Sequence, residues 1–205
     1  DVLFIGMSGG VSGAARIAVR AAEEVLAEFP GRRIEVIDTY AASLGEGFQV
    51  LEAAKMLESG MGLDEVAEKI RADRAHMCQY FTVDDLAYLQ RGGRISGAAA
   101  LVGTVLQIKP VLIGDENGRI IVSDKVRGRK QSLIYLADKY AELALDKSAP
   151  IGIAHADCEE SVDFLLTKLR DRGFTGEPMI VMYEPVTGGH VGPGTVALFF
   201  RGVHK

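Results

Sequence analysis

The sequence predicts an α/β chain of two domains, and three observations carry that expectation. A strand, a Gly-rich turn, a helix and a second strand follow one another at the start; an Asn-Gly pair separates two apolar runs in the middle; strands and helices alternate to the end. With 205 residues, 48% of them hydrophobic, the chain can bury either one large core or two small ones.

Residues 2–6 read as a strand, 8–13 as the turn, 14–29 as an apolar-periodic helix and 34–37 as a second strand. Parallel strands require such a crossover, so this segment is expected to be part of a Rossmann-like parallel sheet. Two further helices are expected at 45–59 and 63–74. The pattern changes at His76, which divides the chain into a remainder of an N-terminal parallel domain, 1–75, and a C-terminal domain, 76–205. There, 77–83 reads as a strand, and Asp84-Asp85 starts a short helix that ends at Gly92-Gly93. Strands at 111–113 and 120–122 flank Asp115-Glu116-Asn117-Gly118, where Asn-Gly is expected to supply the positive φ angles of an antiparallel hairpin. Helices at 130–145 and 159–170 and strands at 151–154, 179–183 and 195–200 complete an antiparallel sheet with packed helices.

Composition excludes several function classes. A net charge of −5 is the wrong sign for a nucleic-acid surface, which draws its affinity from clustered Lys and Arg. Cys78 and Cys158 stand far apart in apolar runs, with no spacing suited to zinc, and read as buried free thiols. No metal site is expected. The chain has no run of about 18 apolar residues, no signal-type start and no lipidation box, so a cytoplasmic protein is expected. Asp1 opens directly on a buried-type strand, and an N-terminal region is expected to precede it.

The turn Met7-Ser8-Gly9-Gly10-Val11-Ser12-Gly13 lies between a strand end and a helix start, where unpaired N–H groups and the helix dipole favour an anion. Ser8 and Ser12 add hydroxyl donors; the alternative is a plain helix cap at Ser12. Two enzyme readings compete for the turn. Gly6-Met7-Ser8-Gly9-Gly10 matches the nucleophile elbow of a serine hydrolase, with Asp157 and His190 in the right order, although the helix starts too late after the serine. A dinucleotide site would use Asp38, at the end of the second strand, on a ribose, but Ser8 stands where that fingerprint needs Gly.

Arg94 follows the double glycine, either as a bidentate partner for a carboxylate or as a cap on the preceding helix, with another helix expected from Ser96. Gly188-Gly189-His190-Val191-Gly192-Pro193-Gly194 reads as a turn that pins one His by backbone, or as a surface turn with an incidental His. Residues 125–130 form a basic loop that is either solvated or a docking point for an acidic partner or phosphate donor. The small-residue helix expected at 98–106 suits either an ordinary core or the wall of an acyl tunnel.

Several of these motifs together resemble the DegV family of bacterial fatty-acid-binding proteins, the binding subunits of a two-component fatty-acid kinase. The resemblance is carried by Leu86-Ala87-Tyr88-Leu89-Gln90-Arg91-Gly92-Gly93-Arg94-Ile95, Gln107-Ile108-Lys109-Pro110, Lys125-Val126-Arg127-Gly128 and His190-Val191-Gly192-Pro193-Gly194, in that order. Gly9, Ala14 and Ala15 depart from the second serine and the Thr-Tyr pair usual in the family's turn. The resemblance implies a carrier rather than an enzyme, with no cofactor. A long-chain fatty acid would lie between two domains, its carboxylate held by Ser8, Ser12, Gly13, Arg94 and His190. Arg127 would contact a separate fatty-acid kinase subunit that makes the acyl phosphate, and transient contact with a membrane surface is compatible with such a cargo. The resemblance further implies a preceding parallel-sheet segment of roughly 80 residues, which is of the size of part of a domain and carries one more ligand-contacting hydroxyl.

Overall fold

The computed structural model describes residues 1–96 and 107–203. They form two compact units, Asp1–Ala75 with Glu116–Arg119, and His76–Asp115 with Ile120–Lys205. The small-residue helix expected at 98–106 and the helix expected from Ser96 lie outside the described residues.

In the first unit, β1 (Val2–Gly6) pairs in parallel with β2 (Ile34–Asp38), joined by α1 (Ala14–Glu28). Two more helices follow, α2 (Leu44–Glu58) and α3 (Leu63–Asp73). Ile37, Ala53, Val66, Ala67 and Ile70 close the core, with Leu3, Ile5, Met56 and Met61 against them. Alternation along β1 and β2 turns Leu3, Ile5 and Ile37 toward the helices, as a parallel sheet requires.

The second unit is built on a six-stranded sheet of order β5-β4-β3-β8-β6-β7. Its strands are β3 (Met77–Thr82), β4 (Ile108–Gly114), β5 (Ile120–Arg127), β6 (Ile151–His155), β7 (Pro178–Met182) and β8 (Val196–Arg201). Four of its pairings are antiparallel, as expected, but β6 and β7 run parallel, so the sheet is mixed. The parallel pair arises because β6 is buried along its whole length and is followed by a crossover helix, Glu159–Asp171.

Helices α5 (Arg129–Leu143) and α6 (Glu159–Asp171) cover one face, burying Leu133, Leu136, Tyr140, Val162, Leu165 and Leu169 against Cys78, Val111, Ile153 and Leu198. Tyr140 meets Phe200 and Phe174 edge-on, with ring centroids 5.2 and 5.8 Å away. The other face packs Leu112 and Val83 against Leu89 of α4 (Ala87–Arg91) and Val191 of α7 (Pro185–Val191).

Three local expectations change. β4 and β5 are longer than their apolar cores, because Pro110 faces only β5: pairing with β3 begins one residue later, at Val111, where a missing N–H costs nothing. Lys125 and Arg127 therefore sit on a strand rather than in a loop. At the hairpin only Gly118 takes a positive φ, 70°, while Asn117 does not, because five residues rather than two separate the paired ends Gly114 and Ile120. His190 belongs to a helix and not to a turn. Glu184 caps that helix by accepting the N–H groups of Val186 and Thr187, and Pro185 presets its first φ, which offsets Gly188 and Gly189.

Leu136→Ala, at the centre of the α5 face, should cost about 2–5 kcal/mol in a denaturant titration. Glu184 is held below the usual carboxylate range by the Thr187 hydroxyl and by backbone N–H groups. A depressed folded-state pKa adds stability above the unfolded value that disappears as pH falls through the folded one. Glu184→Gln should therefore lower Tm at neutral pH, and the difference from the unsubstituted chain should vanish in acid.

Candidate functional site

The Gly-rich turn is held by acceptors from its own unit. Ser8 N–H donates to the Ala41 carbonyl at 2.7 Å, and the Val11 and Ser12 N–H groups both return to the Ser8 carbonyl. Gly9 N–H donates to Oδ2 of Asp38 at 2.9 Å, and Oδ1 of the same carboxylate takes Tyr40 N–H, also at 2.9 Å. Arg74 fixes this corner from behind, donating to the Asp38 carbonyl at 2.8 Å with its guanidinium 3.9 Å from the Tyr40 ring centroid. Burial pushes the Glu46 carboxyl up, and the Met7 N–H that it accepts pulls it partly back.

Ser8 is 1% exposed. Its hydroxyl donates to the Gly118 carbonyl at 2.8 Å and accepts Gly10 N–H at 3.1 Å. These contacts bear on both enzyme readings. A serine nucleophile must be accessible and must give its proton to a base, whereas Ser8 is buried and gives its proton to a carbonyl. α1 also begins at Ala14, six residues after Ser8, where an elbow needs it immediately after the serine. The ribose reading fares no better, since both oxygens of Asp38 are engaged by backbone N–H groups.

Ser12 and Gly13 differ from Ser8. Ser12 Oγ accepts Ala14 N–H at 3.2 Å, and Gly13 is the N-cap of α1 with no side-chain cap on the helix. Among the described residues, neither the Ser12 hydroxyl proton nor Gly13 N–H has an acceptor.

The second unit brings Arg94 and His190 to the same residue. Arg94 Nη1 donates to the Gly92 carbonyl at 2.5 Å, so the helix-capping role weighed for it is present. His190 packs so closely on Gly92 that a Cβ there would overlap Nδ1 of the ring. Gly is required at 92 for this approach. Around His190, Gly192 ends α7 with φ 79°, and the Tyr88 ring lies over it.

The segment after His190 is fastened by residues that sequence reading placed in other roles. Arg129 Nη2 donates to the Gly194 carbonyl. Asp84 is bridged by Lys109 Nζ at 2.7 Å and lies 3.9 Å from Arg129 Nη1. Lys109 and Asp84 belong to motifs noticed for other reasons, and nothing in their spacing announces the pair. Asp38, Glu46 and Gly118 were missed as supports of the turn for the same reason: their partners are distant in sequence. Arg127 ends β5, exposed and paired with Ile108. Cys158 is a half-buried thiol pushed up by burial, with Sγ 3.4 Å from the Thr195 carbonyl. Among the described residues, no group of three or more His, Cys, Asp or Glu is placed to hold a metal ion, and no helix is long and apolar enough to cross a membrane.

Comparison with known proteins follows the same lines. The family model described as "uncharacterised protein, DegV family" matches residues 1–202. A DegV domain-containing protein of Clostridium perfringens is 37% identical over 206 residues, covering 100% of this chain and 71% of its own length. Among solved structures, a fatty-acid-binding DegV family protein of Streptococcus agalactiae superimposes with a TM-score of 0.85 at 31% identity, over 96% of this chain and 68% of its own. A DegV family protein of Thermus thermophilus, described by its fatty-acid binding, gives 0.82 at 33% identity, over 98% and 70%. The Streptococcus pneumoniae Fatty Acid Kinase (Fak) B3 protein loaded with linoleic acid shares the fold, with a TM-score of 0.87 at 23% identity over 97% and 70%. With its mixed sheet, its Gly-Gly-Arg helix end and its His-Val-Gly-Pro-Gly segment, matched along nearly the whole sequence, this chain belongs to the DegV family.

Proposed function

We propose that the chain binds a long-chain fatty acid by its carboxylate and presents it to a separate kinase that forms the acyl phosphate. The observation that carries this reading is the meeting of Arg94 and His190 on Gly92, in a member of a family whose structures from S. agalactiae and T. thermophilus are described as fatty-acid-binding. A guanidinium and an imidazole on one glycine suit an anion with one flat end. The acid's carboxylate leaves water only against charge-assisted hydrogen bonds, and Ser8, Ser12, Gly13, Arg94 and His190 are the groups proposed to supply these. Each buried methylene adds about 0.8 kcal/mol, so the chain supplies affinity while the head group sets orientation.

The kinase step extends from the family resemblance and from the shared fold of the Fak B3 protein. Arg127 suits a partner contact because it is exposed on β5, the edge strand of the sheet, where a second protein has access. On this reading the chain is a carrier, and nucleotide chemistry belongs to the partner.

Lipid extraction and mass spectrometry of the purified protein should find long-chain acyl species, and added fatty acid should raise Tm; failure of both would end the carrier reading. His190→Ala should weaken fatty-acid binding about tenfold or more with little change in Tm, as expected for loss of one hydrogen bond to a charged group. Arg127→Ala should leave binding intact and slow acyl-phosphate formation in a reconstituted kinase assay. Equal behaviour of the two variants in both assays would remove the division of roles.

A further inference from the structure

We propose that the second unit binds a chloride-sized monovalent anion between Thr82, at the end of β3, and Arg129, at the start of α5. The site goes beyond the fatty-acid reading and does not rest on it.

Two buried polar atoms carry the inference. Thr82 is fully buried, and its Oγ1 has no hydrogen-bond partner among the described residues. Arg129 Nη1 is likewise sealed from solvent and unbonded, since Asp84 Oδ1, 3.9 Å away, is beyond hydrogen-bonding distance. A buried polar group without a partner costs about 1–3 kcal/mol, and more when it is charged, so two in one corner point to a ligand that accepts from both. Sheet register brings them together. Thr82 pairs with Val111 of β4 and Val196 of β8, and alternation from Cys78 and Tyr80 turns it, with those two valines, toward the face covered by α5 and α6. Arg129 reaches over the same corner: its Nη2 donates to the carbonyl of Gly194, two residues before Val196, and its Nη1 approaches Asp84, two residues beyond Thr82. The guanidinium therefore sits one two-residue step outward of the hydroxyl, about 6.5 Å along the strand, a span that one atom bridges with two hydrogen bonds of about 3 Å.

Charge decides what the bridging atom is. Arg129 and Lys109 bring two cations to this corner, their side chains 23% and 21% exposed, and Asp84 answers with one carboxylate that Lys109 already holds at 2.7 Å. Cys158, whose Sγ lies 3.8 Å from Arg129 Nη2, adds no second negative charge, because burial pushes its thiol up. Lys130 and Glu159, exposed at the starts of α5 and α6, offset each other. A water would accept from Nη1 but leave the guanidinium's charge uncompensated, whereas a monovalent anion accepts from both donors and neutralises it. Held there, the anion also fixes Arg129 on Gly194 and so the entry into β8.

The test compares thermal unfolding of the full-length protein in sodium chloride, sodium bromide and sodium gluconate at equal ionic strength, gluconate being too large to bridge two such atoms. Chloride and bromide should raise Tm saturably over gluconate. Thr82→Val, which keeps the shape and removes the hydroxyl, should weaken the apparent halide Kd about tenfold or more, while matching or exceeding the unsubstituted protein's Tm in gluconate. A crystal grown in bromide should show an anomalous peak between Thr82 Oγ1 and Arg129 Nη1. Equal Tm in the three salts, an undiminished halide response in Thr82→Val, or water density without anomalous signal at that position would each overturn the site, and the bromide crystal decides if Thr82→Val does not fold. None of these outcomes bears on fatty-acid binding.

Discussion

The antiparallel pairing of β3 with β8 is the constraint on which the second unit depends. Six consecutive residue pairs, Met77 with Arg201 through Thr82 with Val196, hold the two central strands together, and both faces of the pair are buried. Because the strands run in opposite directions, the end of β3 lies beside the start of β8. The chain that leaves β3 forms α4 and reaches Arg94; the chain that enters β8 comes from α7 and His190. Residues almost a hundred positions apart are thereby delivered to one glycine. The remaining strands widen this platform, and α5 and α6 cover the face opposite to α4 and α7.

Polar satisfaction is the second constraint, and it works differently in each unit. In the Gly-rich turn, a short run of backbone donors would attract any anion if left open, and the protein fills most of it with its own groups: the Asp38 carboxylate, the Ala41 carbonyl and the two oxygens of Ser8. Filling these positions makes the turn rigid and leaves its open donors at the Ser12 and Gly13 end. In the second unit, the segment after His190 is tied by Arg129 to Gly194, while Asp84 draws Lys109 and Arg129 toward the same place. The head-group site proposed here would need such supports, since a donor displaced by an ångström loses most of its hydrogen bond.

Local pattern announced the elements with strong periodicity or firm punctuation: β1, α1 and β2 with their crossover, α2 and α3, and the double glycine that ends α4. Where pattern misled, a tertiary partner had altered the cost of a residue. Pro110 would break an interior strand, yet it is tolerated one step before β3 begins to pair; two glycines suggest a turn, yet Glu184 and Pro185 hold them in α7. The same limit applies to the site. Ser8, Ser12, Arg94 and His190 were visible as candidate polar residues beside glycines, but which donors remained open was not, because Gly118 and Asp38 spend them from far along the chain.

By itself, then, the amino-acid order determined the α/β class, the parallel start, the hairpin and the motifs that mark the family, because these follow from side-chain period and from residues with restricted or unusual backbone freedom. Tertiary structure decided that β7 runs parallel to β6, that His190 rides on a helix, that Gly92 receives both Arg94 and His190, and that the Ser8 hydroxyl is spent on Gly118. Each of these depends on which distant backbone group arrives within hydrogen-bonding or van der Waals reach, and distance in space is what a linear sequence does not record.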